Sequence, residues 1–251
     1  MRPTVVVPTY NERANLPVVI ERLLALRDLR VLVVDDGSPD GTGDEADRCA
    51  LGSGGRVAVL HRRGRRGLGR SYIDGFRAAL DEGATHVLQM DADLSHDPDD
   101  VPRLLQASGD ADLVLGSRYV PGGSVVNWPR SREVLSRGGN LYARLALGIE
   151  LRDATGGYRA FRRTTLEKLD LHDISSQGYC FQVDLAQRAI RRGLRVEEVP
   201  ITFVEREFGS SKMSRAIVVE ALWRLTTWGV RHRAGQVRDI LRPGSRPPGE
   251  G

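Results

Sequence analysis

The stretch VLQMDADLSHDPDD, residues 87–100, joins a predicted strand to a dense group of acidic side chains. Its first residues form an apolar run typical of a buried strand, and Asp91-Ala92-Asp93 follows this run directly. Carboxylate oxygens at this spacing suit Mg²⁺ or Mn²⁺, which bind protein carboxylates together with substrate phosphates. Asp-x-Asp also occurs by chance, and acidic residues are favoured at the N-terminus of a helix. The choice between a metal site and the start of a helix depends on the neighbouring segments.

Strand-like apolar runs alternate with amphipathic helical patterns on both sides of this stretch. The alternation predicts an α/β fold with a mainly parallel, twisted, Rossmann-like sheet and helices on both of its faces. In the first half, the predicted strands span residues 4–8, 31–35, 57–60, 87–90 and 113–116. One predicted helix begins near residue 15, and three others span residues 43–51, 69–82 and 99–107. In the less regular second half, we predict helices at 131–147 and 179–192, a glycine-containing turn at 153–161 and a strand at 195–203.

Polar side chains follow nearly every predicted strand of the first half. In parallel sheets, ligands bind beyond the carboxyl ends of the strands. Asp35 and Asp36 end the second strand, and Asp91 and Asp93 end the fourth. We therefore expect these four acids to converge on one crevice, which favours a metal role for Asp91 and Asp93. The acids from residue 97 to residue 100 fit the capping of the helix that follows.

The composition narrows the classes of function. The chain has 251 residues, of which 40% are hydrophobic and 28% charged, as in an ordinary globular protein. No histidine or cysteine pair has the spacing of a zinc site, and Cys49 and Cys180 stand far apart, which indicates a reducing compartment. The only basic run is short, at residues 62–66, so no nucleic-acid partner is expected. Since the chain opens on a strand and has no long apolar run, we expect no signal peptide and a soluble or peripheral protein.

Two later segments carry cations in informative patterns. In NWPRSREVLSRGGN, residues 127–140, the helical spacing places Arg132 and Ser136 on one face, whereas Arg130 and Arg137 fit solvated surface charge. In EREFGSSK, residues 205–212, a basic side chain stands on each side of a Gly-Ser turn. This second pattern fits a loop that clamps a phosphate and fits an ordinary exposed loop equally well.

Eight motifs occur in order within residues 3–215, and as a set they are highly specific. They read VVVPTYNERANL, VVDDGSPDGT, GLGRSYIDGF, MDADLSHDP, LVLGSRY, ATGGYRAF, GYCFQVDL and REFGSSKMS. With these motifs the chain resembles the dolichol- and polyprenol-phosphate mannose synthases, which are inverting glycosyltransferases of family 2 with a GT-A fold. The resemblance implies a nucleoside-diphosphate sugar as donor, namely GDP-mannose, a polyprenyl monophosphate as acceptor, and Mg²⁺ or Mn²⁺ as cofactor.

The resemblance also implies overlapping sets of site residues. The donor would be bound by Pro8, Tyr10, Glu12, Asp35, Asp36, Asp91, Ala92, Asp93, Arg206 and Lys212. The acceptor phosphate would meet Arg118, Arg132 and Ser136, and catalysis would depend on Asp91, Asp93, Arg118 and Arg206. The metal would be bound by Asp91 and Asp93, with Ser95 standing where many family members have glutamine. The Ser95 hydroxyl can reach a metal directly or through water.

The implied reaction needs no strong general base, because the acceptor phosphate is already anionic near neutral pH. Catalysis would depend on in-line positioning and on stabilisation of the leaving diphosphate. Two alternatives stay open. The same fold could use another donor, such as UDP-glucose, or a non-lipid acceptor. The chain could also be a nucleotide-sugar-binding module without turnover, but the retained acids and arginines argue against this.

Three regions are expected along the chain. Residues 1–212 form the GT-A catalytic domain, residues 213–241 a C-terminal amphipathic helical region, and residues 242–251 a disordered tail. The helical region carries Trp223, Trp228 and several arginines, so it fits a membrane surface, although its apolar stripe could equally pack on the catalytic domain. We expect a peripheral protein on the cytoplasmic face of a membrane, held there by this region or by a membrane-anchoring partner protein.

Overall fold

The computed structural model describes residues 1–63, 67–171, 174, 179–205 and 226–227, and its strands form two sheets. In chain order the strands are β1 (Pro3–Thr9), β2 (Arg30–Asp35), β3 (Val57–His61), β4 (His86–Gln89), β5 (Leu113–Ser117), β6 (Ser124–Val126), β7 (Arg159–Arg162), β8 (Val196–Pro200) and β9 (Thr202–Val204). The larger sheet has seven strands in the order β3-β2-β1-β4-β7-β5-β8, and the smaller one pairs β6 with β9.

The helices connect these strands and cover both faces of the larger sheet. They are α1 (Leu16–Ala25), α2 (Thr42–Leu51), α3 (Leu68–Asp81), α4 (Val101–Ala107), α5 (Arg130–Leu147), α6 (Arg163–Lys168) and α7 (Tyr179–Arg191), and a 3-10 turn, Pro98–Asp100, precedes α4. Within the described ranges, none of these helices combines the length and the apolar character that crossing a bilayer requires.

The predicted fold class is confirmed. Strands β3, β2, β1 and β4 are parallel neighbours, and β5 pairs with β8 in parallel. Each of the five strands predicted in the first half is present within two residues of its predicted ends. The strict alternation of apolar runs and helical patterns in this half leaves little room for another assignment.

The second half departs from the prediction in two places. The predicted turn at 153–161 ends in strand β7, which runs antiparallel between β4 and β5 in the middle of the sheet. This strand is only four residues long and has an arginine at each end, so its sequence lacks the apolar run of a central strand. The predicted strand at 195–203 is divided into β8 and β9, because the chain leaves the larger sheet after Pro200, which has no N–H to donate.

The apolar core consists of two layers, one on each face of the larger sheet. Side chains of a strand alternate between the faces, so Val5 and Val7 belong to the layer under α1, α2 and α4, whereas Val6 faces the layer under α3, α5 and α7. Helix α3 lies very close to the sheet, since a Cβ atom on Gly75 would come within 2.4 Å of Val6 Cγ1. This approach brings Tyr72, one turn earlier on α3, against the end of β4.

Candidate active site

The carboxyl ends of β2, β1 and β4 lie side by side at one edge of the larger sheet, because these strands are parallel neighbours. The four acids predicted to converge follow β2 and β4, on either side of β1. The start of α3 reaches both pairs: Gly67 N–H donates to Asp36 Oδ2 at 2.8 Å, and Tyr72 Oη donates to Asp91 Oδ1 at 2.7 Å. The structure thus brings the four acids to the same end of the sheet, as the strand-end rule requires, and we call this region the acidic crevice.

Asp35 and Asp36 are both buried and are held by different partners. Asp35 accepts hydrogen bonds from the Thr9 hydroxyl at 3.2 Å and from the Ser38 hydroxyl at 2.5 Å. Asp36 forms an ion pair with Arg62. In the sequence Arg62 stands only in a short basic run, yet its guanidinium also binds Asp74 at 2.7 Å and so holds α3 beside the crevice.

Asp91 is oriented by two buried rings. Tyr72 is fully buried, stacks on Phe181 with 6.1 Å between the ring centroids, and donates a hydrogen bond from its hydroxyl to Asp91. Burial and then the negative charge of Asp91 raise the pKa of Tyr72 well above its usual value, so this hydroxyl stays protonated and donates. On the other side, the Asp91 backbone N–H donates to His96 Nδ1 at 3.2 Å. Burial lowers the pKa of His96, which therefore acts as a neutral acceptor.

Asp93 is positioned by Ser95, two residues further along the chain. The Ser95 hydroxyl donates to Asp93 Oδ1 at 2.5 Å, and its backbone N–H donates to the same atom at 3.2 Å. Ser95 is almost fully buried. In this geometry the hydroxyl orients a carboxylate, whereas its predicted role as a metal ligand stays a prediction.

The crevice offers oxygen ligands of the kind that a hard divalent cation requires. Asp91 and Asp93 supply two carboxylates from one strand end. In the described part of the chain, no cluster of three or more histidine, cysteine, aspartate or glutamate side chains forms a metal cage. Two carboxylates fit a cation that takes its remaining ligands from water and from a substrate diphosphate, as Mg²⁺ commonly does. The donor set therefore fits the predicted cofactor.

Arg118 lies deep beside the crevice and is clamped by Asp153. Its Nε and Nη2 atoms each donate to Asp153 at 2.7 Å, and its backbone N–H donates to the same carboxylate at 3.0 Å. Burial by itself raises the pKa of Asp153, but the charge and the hydrogen bonds of Arg118 outweigh it and hold the pKa below its usual value. The side chain of Asp153 is fully buried, so this is an internal ion pair with a fixed bidentate geometry.

Arg132 and Ser136 lie on α5 and face the same group of aromatic rings as Arg118. The Arg132 guanidinium is 4.2 Å from the centre of the Trp128 ring and forms an ion pair with Glu205. Arg118 is 5.4 Å from the same ring. Ser136 accepts a hydrogen bond from the Tyr119 hydroxyl at 2.7 Å. The three predicted acceptor residues are therefore together, in what we call the arginine–aromatic cluster: Arg118, Arg132, Ser136, Tyr119, Trp128 and Phe203.

The acidic crevice and the arginine–aromatic cluster adjoin each other. The Phe203 ring lies 5.5 Å from the Arg118 guanidinium and 5.4 Å from the His96 ring. The backbone joins the two regions as well, because Val204 N–H donates to the Ser95 carbonyl at 3.2 Å. The smaller sheet, which carries Phe203, thus attaches the cluster to the segment that holds Asp93.

The remaining predicted site residues have mixed outcomes. Pro8 and Ala92 are buried at the strand ends, and Tyr10 and Glu12 are half-buried in the segment that leads from β1 to α1. Arg206 and Lys212 lie outside the described residues, as does most of the predicted region at 213–241 and the whole tail at 242–251. The roles assigned to all of these residues stay predictions.

Sequence reasoning missed several residues that organise the site. Asp153 directly precedes the motif ATGGYRAF, and Tyr72 stands in GLGRSYIDGF. Nothing in the sequence connects Asp153 with Arg118 or Tyr72 with Asp91. Glu198 is a further case, since its carboxylate accepts the backbone N–H groups of Arg152 and Asp153 at 2.7 and 2.8 Å. These contacts join positions far apart in the chain, so local patterns carry no signal for them.

Comparison with known proteins agrees with this arrangement. The family model described as Glycosyl transferase family 2 matches residues 4–170. The chain belongs to glycosyl transferase family 2. A polyprenol monophosphomannose synthase from Mycolicibacterium smegmatis is 51% identical over 248 residues, which cover 96% of this chain and 94% of that protein. An undecaprenyl-phosphate mannosyltransferase from Micrococcus luteus is 54% identical over 234 residues, or 93% of this chain and 96% of that protein.

The fold of this family 2 chain also matches solved structures. A mannosyltransferase from Pyrobaculum calidifontis, in complex with GDP-Man and Mn²⁺, superposes with a TM-score of 0.56 at 23% identity and covers 98% of this chain and 66% of the other. At this identity the likeness concerns the fold. The resemblance to polyprenol-phosphate mannose synthases, seen first in the eight motifs, is confirmed by the two relatives.

Proposed function

We propose that this family 2 chain transfers mannose from GDP-mannose to a polyprenyl monophosphate, with inversion at the anomeric carbon. The observation that carries the proposal is the contact between the two regions. Phe203 lies 5.5 Å from the guanidinium of Arg118 and 5.4 Å from the ring of His96, which accepts a hydrogen bond from Asp91. A phosphate bound in the arginine–aromatic cluster would therefore lie beside a sugar nucleotide bound at the acids. Two relatives named for mannosyl transfer to such lipids support the choice of substrates.

On the donor side, Asp91 and Asp93 would hold a divalent cation, Mg²⁺ or Mn²⁺, which neutralises the charge that develops on the leaving diphosphate. Tyr72 and Ser95 would keep the two carboxylates oriented before the substrate arrives, since each donates a hydrogen bond to one of them. Such preorganisation matters because it avoids reorientation during the reaction. Arg206 and Lys212, from the loop beyond residue 205, are proposed to bind the diphosphate as well.

On the acceptor side, Arg118 and Arg132 would bind the lipid phosphate. Asp153 holds the Arg118 fork rigidly, and the Arg132 guanidinium is half-buried over Trp128. The phosphate oxygen is the nucleophile and needs no proton removed, so the proposed reaction requires no general base at the cluster. The residues here orient the phosphate in line with the sugar and shield it from water.

We further propose that the chain works at a membrane surface, because its acceptor is a lipid. Helix α5 carries exposed apolar side chains: Val134, Leu135, Leu141 and Leu145 are 70%, 49%, 53% and 64% exposed. The same helix carries Arg132 and Ser136, so an apolar surface adjoins the proposed phosphate site. The predicted amphipathic region at 213–241 would add basic and aromatic side chains to this surface, on the cytoplasmic face of the membrane.

One experiment separates the proposed reaction from its alternatives. The purified chain is incubated with polyprenyl phosphate and either GDP-mannose or UDP-glucose, in Mg²⁺ or Mn²⁺, and the lipid is extracted and identified by mass spectrometry. We expect one hexose added to the lipid phosphate with GDP-mannose and no product with UDP-glucose. A product only with UDP-glucose would overturn the donor, and no lipid product with either nucleotide would overturn the acceptor or the transfer itself.

Vesicle co-sedimentation tests the membrane proposal. The double change Leu141→Ser and Leu145→Ser should weaken binding to vesicles containing anionic lipid, and charge reversal at Arg224, Arg231 and Arg233 should make the remaining binding insensitive to salt. Leu51→Ser is the matched control, because Leu51 is 88% exposed at the far end of α2. If these variants bind vesicles like the wild type, these surfaces do not carry membrane binding, and if the wild type itself does not bind, a membrane-anchoring partner protein has to hold the enzyme at the membrane.

A further inference from the structure

Two adjacent glycines, Gly156 and Gly157, stand in the loop before β7 for different reasons. A Cβ atom on Gly156 would come within 3.0 Å of the Gly116 carbonyl oxygen, so the fold itself restricts that position. A Cβ atom on Gly157 would meet no protein atom closer than 3.4 Å, and the φ angle of Gly157 lies outside the left-handed region. Neither packing nor backbone conformation therefore requires glycine at residue 157.

The side of Gly157 that carries no side chain faces polar groups. From the place of a Cβ atom, Asp91 Oδ2 is 3.4 Å away, His96 Cε1 is 3.6 Å away and Gln182 Nε2 is 3.7 Å away. Gly157 and Asp91 are partly exposed, whereas His96 and Gln182 are buried. The polar surface over the Gly157 Cα atom, which we call the Gly157 niche, thus faces the acidic crevice, and a ligand group can contact the backbone there because no Cβ atom intervenes.

Gln182 contributes a carboxamide to the niche, to which it presents its Nε2 atom. Its side chain is 4% exposed, and its Oε1 atom has no hydrogen-bond partner within the described residues. Buried amide groups in native proteins are nearly always paired with protein or with ordered water. Whichever way the amide is turned, it presents an oxygen or an N–H group beside Asp91.

The walls of the niche are held rigidly by Arg159. This fully buried side chain donates to three backbone carbonyls: Gly156 at 2.9 Å, Ala154 at 2.8 Å and Gln182 at 2.7 Å. The loop that carries Gly157 and the first turns of α7 are therefore fastened together. Asp91 is fixed from the other side by Tyr72 at 2.7 Å. A site of such geometry is preorganised for a small polar group.

We propose that the Gly157 niche binds one hydroxyl group of the hexose in the sugar-nucleotide donor and so contributes to the choice of sugar. A hydroxyl both donates and accepts, which matches a carboxylate oxygen on one wall and a carboxamide on another. Glycine at residue 157 lets the sugar approach the backbone as closely as this contact requires. The inference rests on the proposed function, because it takes Asp91 as part of the donor site.

Binding measurements on Gly157→Ala test the niche without depending on turnover. The variant and the wild type are titrated with GDP-mannose and with GDP, each with Mn²⁺, by calorimetry. We expect the dissociation constant for GDP-mannose to rise about tenfold or more, as the loss of a hydrogen bond to a charged group implies, and that for GDP to stay unchanged. The unfolding midpoint should also stay unchanged, since the added methyl meets no clash.

Gly52→Ala is the matched control for this change. Gly52 has ordinary helical φ and ψ angles at the end of α2, at the sheet edge opposite the crevice, and a Cβ atom there would meet nothing closer than 3.9 Å. This variant should bind both nucleotides like the wild type. Unchanged GDP-mannose binding by Gly157→Ala would overturn the proposal, and an equal loss for GDP and GDP-mannose would assign the niche to the diphosphate.

Gln182→Met gives a second test from another wall of the niche. It keeps the volume of the side chain and removes the amide, and it should weaken GDP-mannose binding while GDP binding stays unchanged. Gln187→Met is its control, because Gln187 is also buried on α7 with an unpartnered Nε2 but lies about 140° around the helix. Equal effects of the two changes would overturn a specific role for Gln182.

The wild type separates failure of the niche from failure of the proposed function. If wild-type protein binds UDP-glucose in place of GDP-mannose, the proposed donor is wrong, and the same comparison made with UDP-glucose and UDP decides the niche. If it binds neither sugar nucleotide, both proposals fall together. If it binds GDP-mannose and the Gly157 variant binds it equally well, only the niche falls.

Discussion

The acidic crevice and the arginine–aromatic cluster adjoin each other, yet they are built in different ways. In the crevice, Asp93 is held by Ser95 two residues away, and Asp35 by Ser38 three residues away. In the cluster, Arg118 is held by a residue 35 positions away and Arg132 by one 73 positions away. The crevice thus combines strand ends and short turns with support from Tyr72 and Arg62, whereas the cluster depends on contacts between distant parts of the chain.

Removing a carboxylate from the crevice should have the largest effect on turnover and little on folding. For Asp93→Asn we expect mannosyl transfer to fall on the order of a thousandfold, because a cation that stabilises the leaving diphosphate loses a ligand. The circular dichroism spectrum and unfolding midpoint should match the wild type. Asp99→Asn is the control, since Asp99 is an exposed acid of the same acidic stretch and pairs with Arg22. Near-normal turnover by a folded Asp93→Asn protein would contradict the assignment of the metal to this site.

Breaking the cluster from inside should affect folding first. Asp153→Asn leaves Arg118 buried without its counter-charge, and the loss of one partner from a buried pair costs about 3–5 kcal/mol of unfolding free energy. Chemical denaturation measures this loss. Glu133→Gln breaks the exposed pair with Arg137 on α5 and should cost less than about 0.5 kcal/mol. Similar losses in the two variants would show that the Arg118 pair contributes no more than a surface pair.

The Asp153 pair also predicts a pH dependence. The pKa of Asp153 is lowered in the folded protein, because the charge and hydrogen bonds of Arg118 outweigh the effect of burial. The resulting stability is fully present above the unfolded pKa of about 4 and is lost as the pH falls through the lower, folded pKa. The gap in unfolding free energy between wild type and Asp153→Asn should therefore narrow in strong acid. A gap that widens as the pH falls would contradict the assigned direction.

A milder change in the cluster should separate its substrate from that of the crevice. Arg132→Lys keeps the charge and loses the planar fork, so we expect the KM for polyprenyl phosphate to rise about tenfold. The KM for GDP-mannose should change little. Arg144→Lys is the matched control, because Arg144 is exposed further along the same helix, away from the cluster. Equal increases of both KM values in Arg132→Lys would assign Arg132 to the donor.

The smallest expected effect concerns Ser95. If its hydroxyl only orients Asp93, Ser95→Ala removes one hydrogen bond worth about 1 kcal/mol, and turnover should fall roughly fivefold. Tyr72→Phe removes the equivalent hydrogen bond to Asp91 and should have an effect of similar size. A loss in Ser95→Ala as large as that in Asp93→Asn would place Ser95 directly on the metal.

The same contrast explains what the sequence could predict. Parallel strands and the acids at their ends follow from local apolar patterns, so β1 to β5 and the convergence of Asp35, Asp36, Asp91 and Asp93 were predicted from the residues themselves. Arg118, Arg132 and Ser136 were grouped by the family resemblance. Their clamps, Asp153 and Glu205, could not be predicted, because these contacts depend on a short antiparallel strand and on a divided strand that local patterns do not specify.

The most direct test of two adjoining but separate sites is the binding of GDP-mannose, with Mn²⁺ and without lipid, to Asp93→Asn and Arg132→Lys side by side. If the two sites are separate, the two variants should differ in their binding of GDP-mannose. Asp93→Asn should lose the Mn²⁺-dependent part of the affinity, whereas Arg132→Lys should bind GDP-mannose with the wild-type dissociation constant. Loss of Mn²⁺-dependent binding in both variants, or in neither, would contradict the division into a donor crevice and an acceptor cluster.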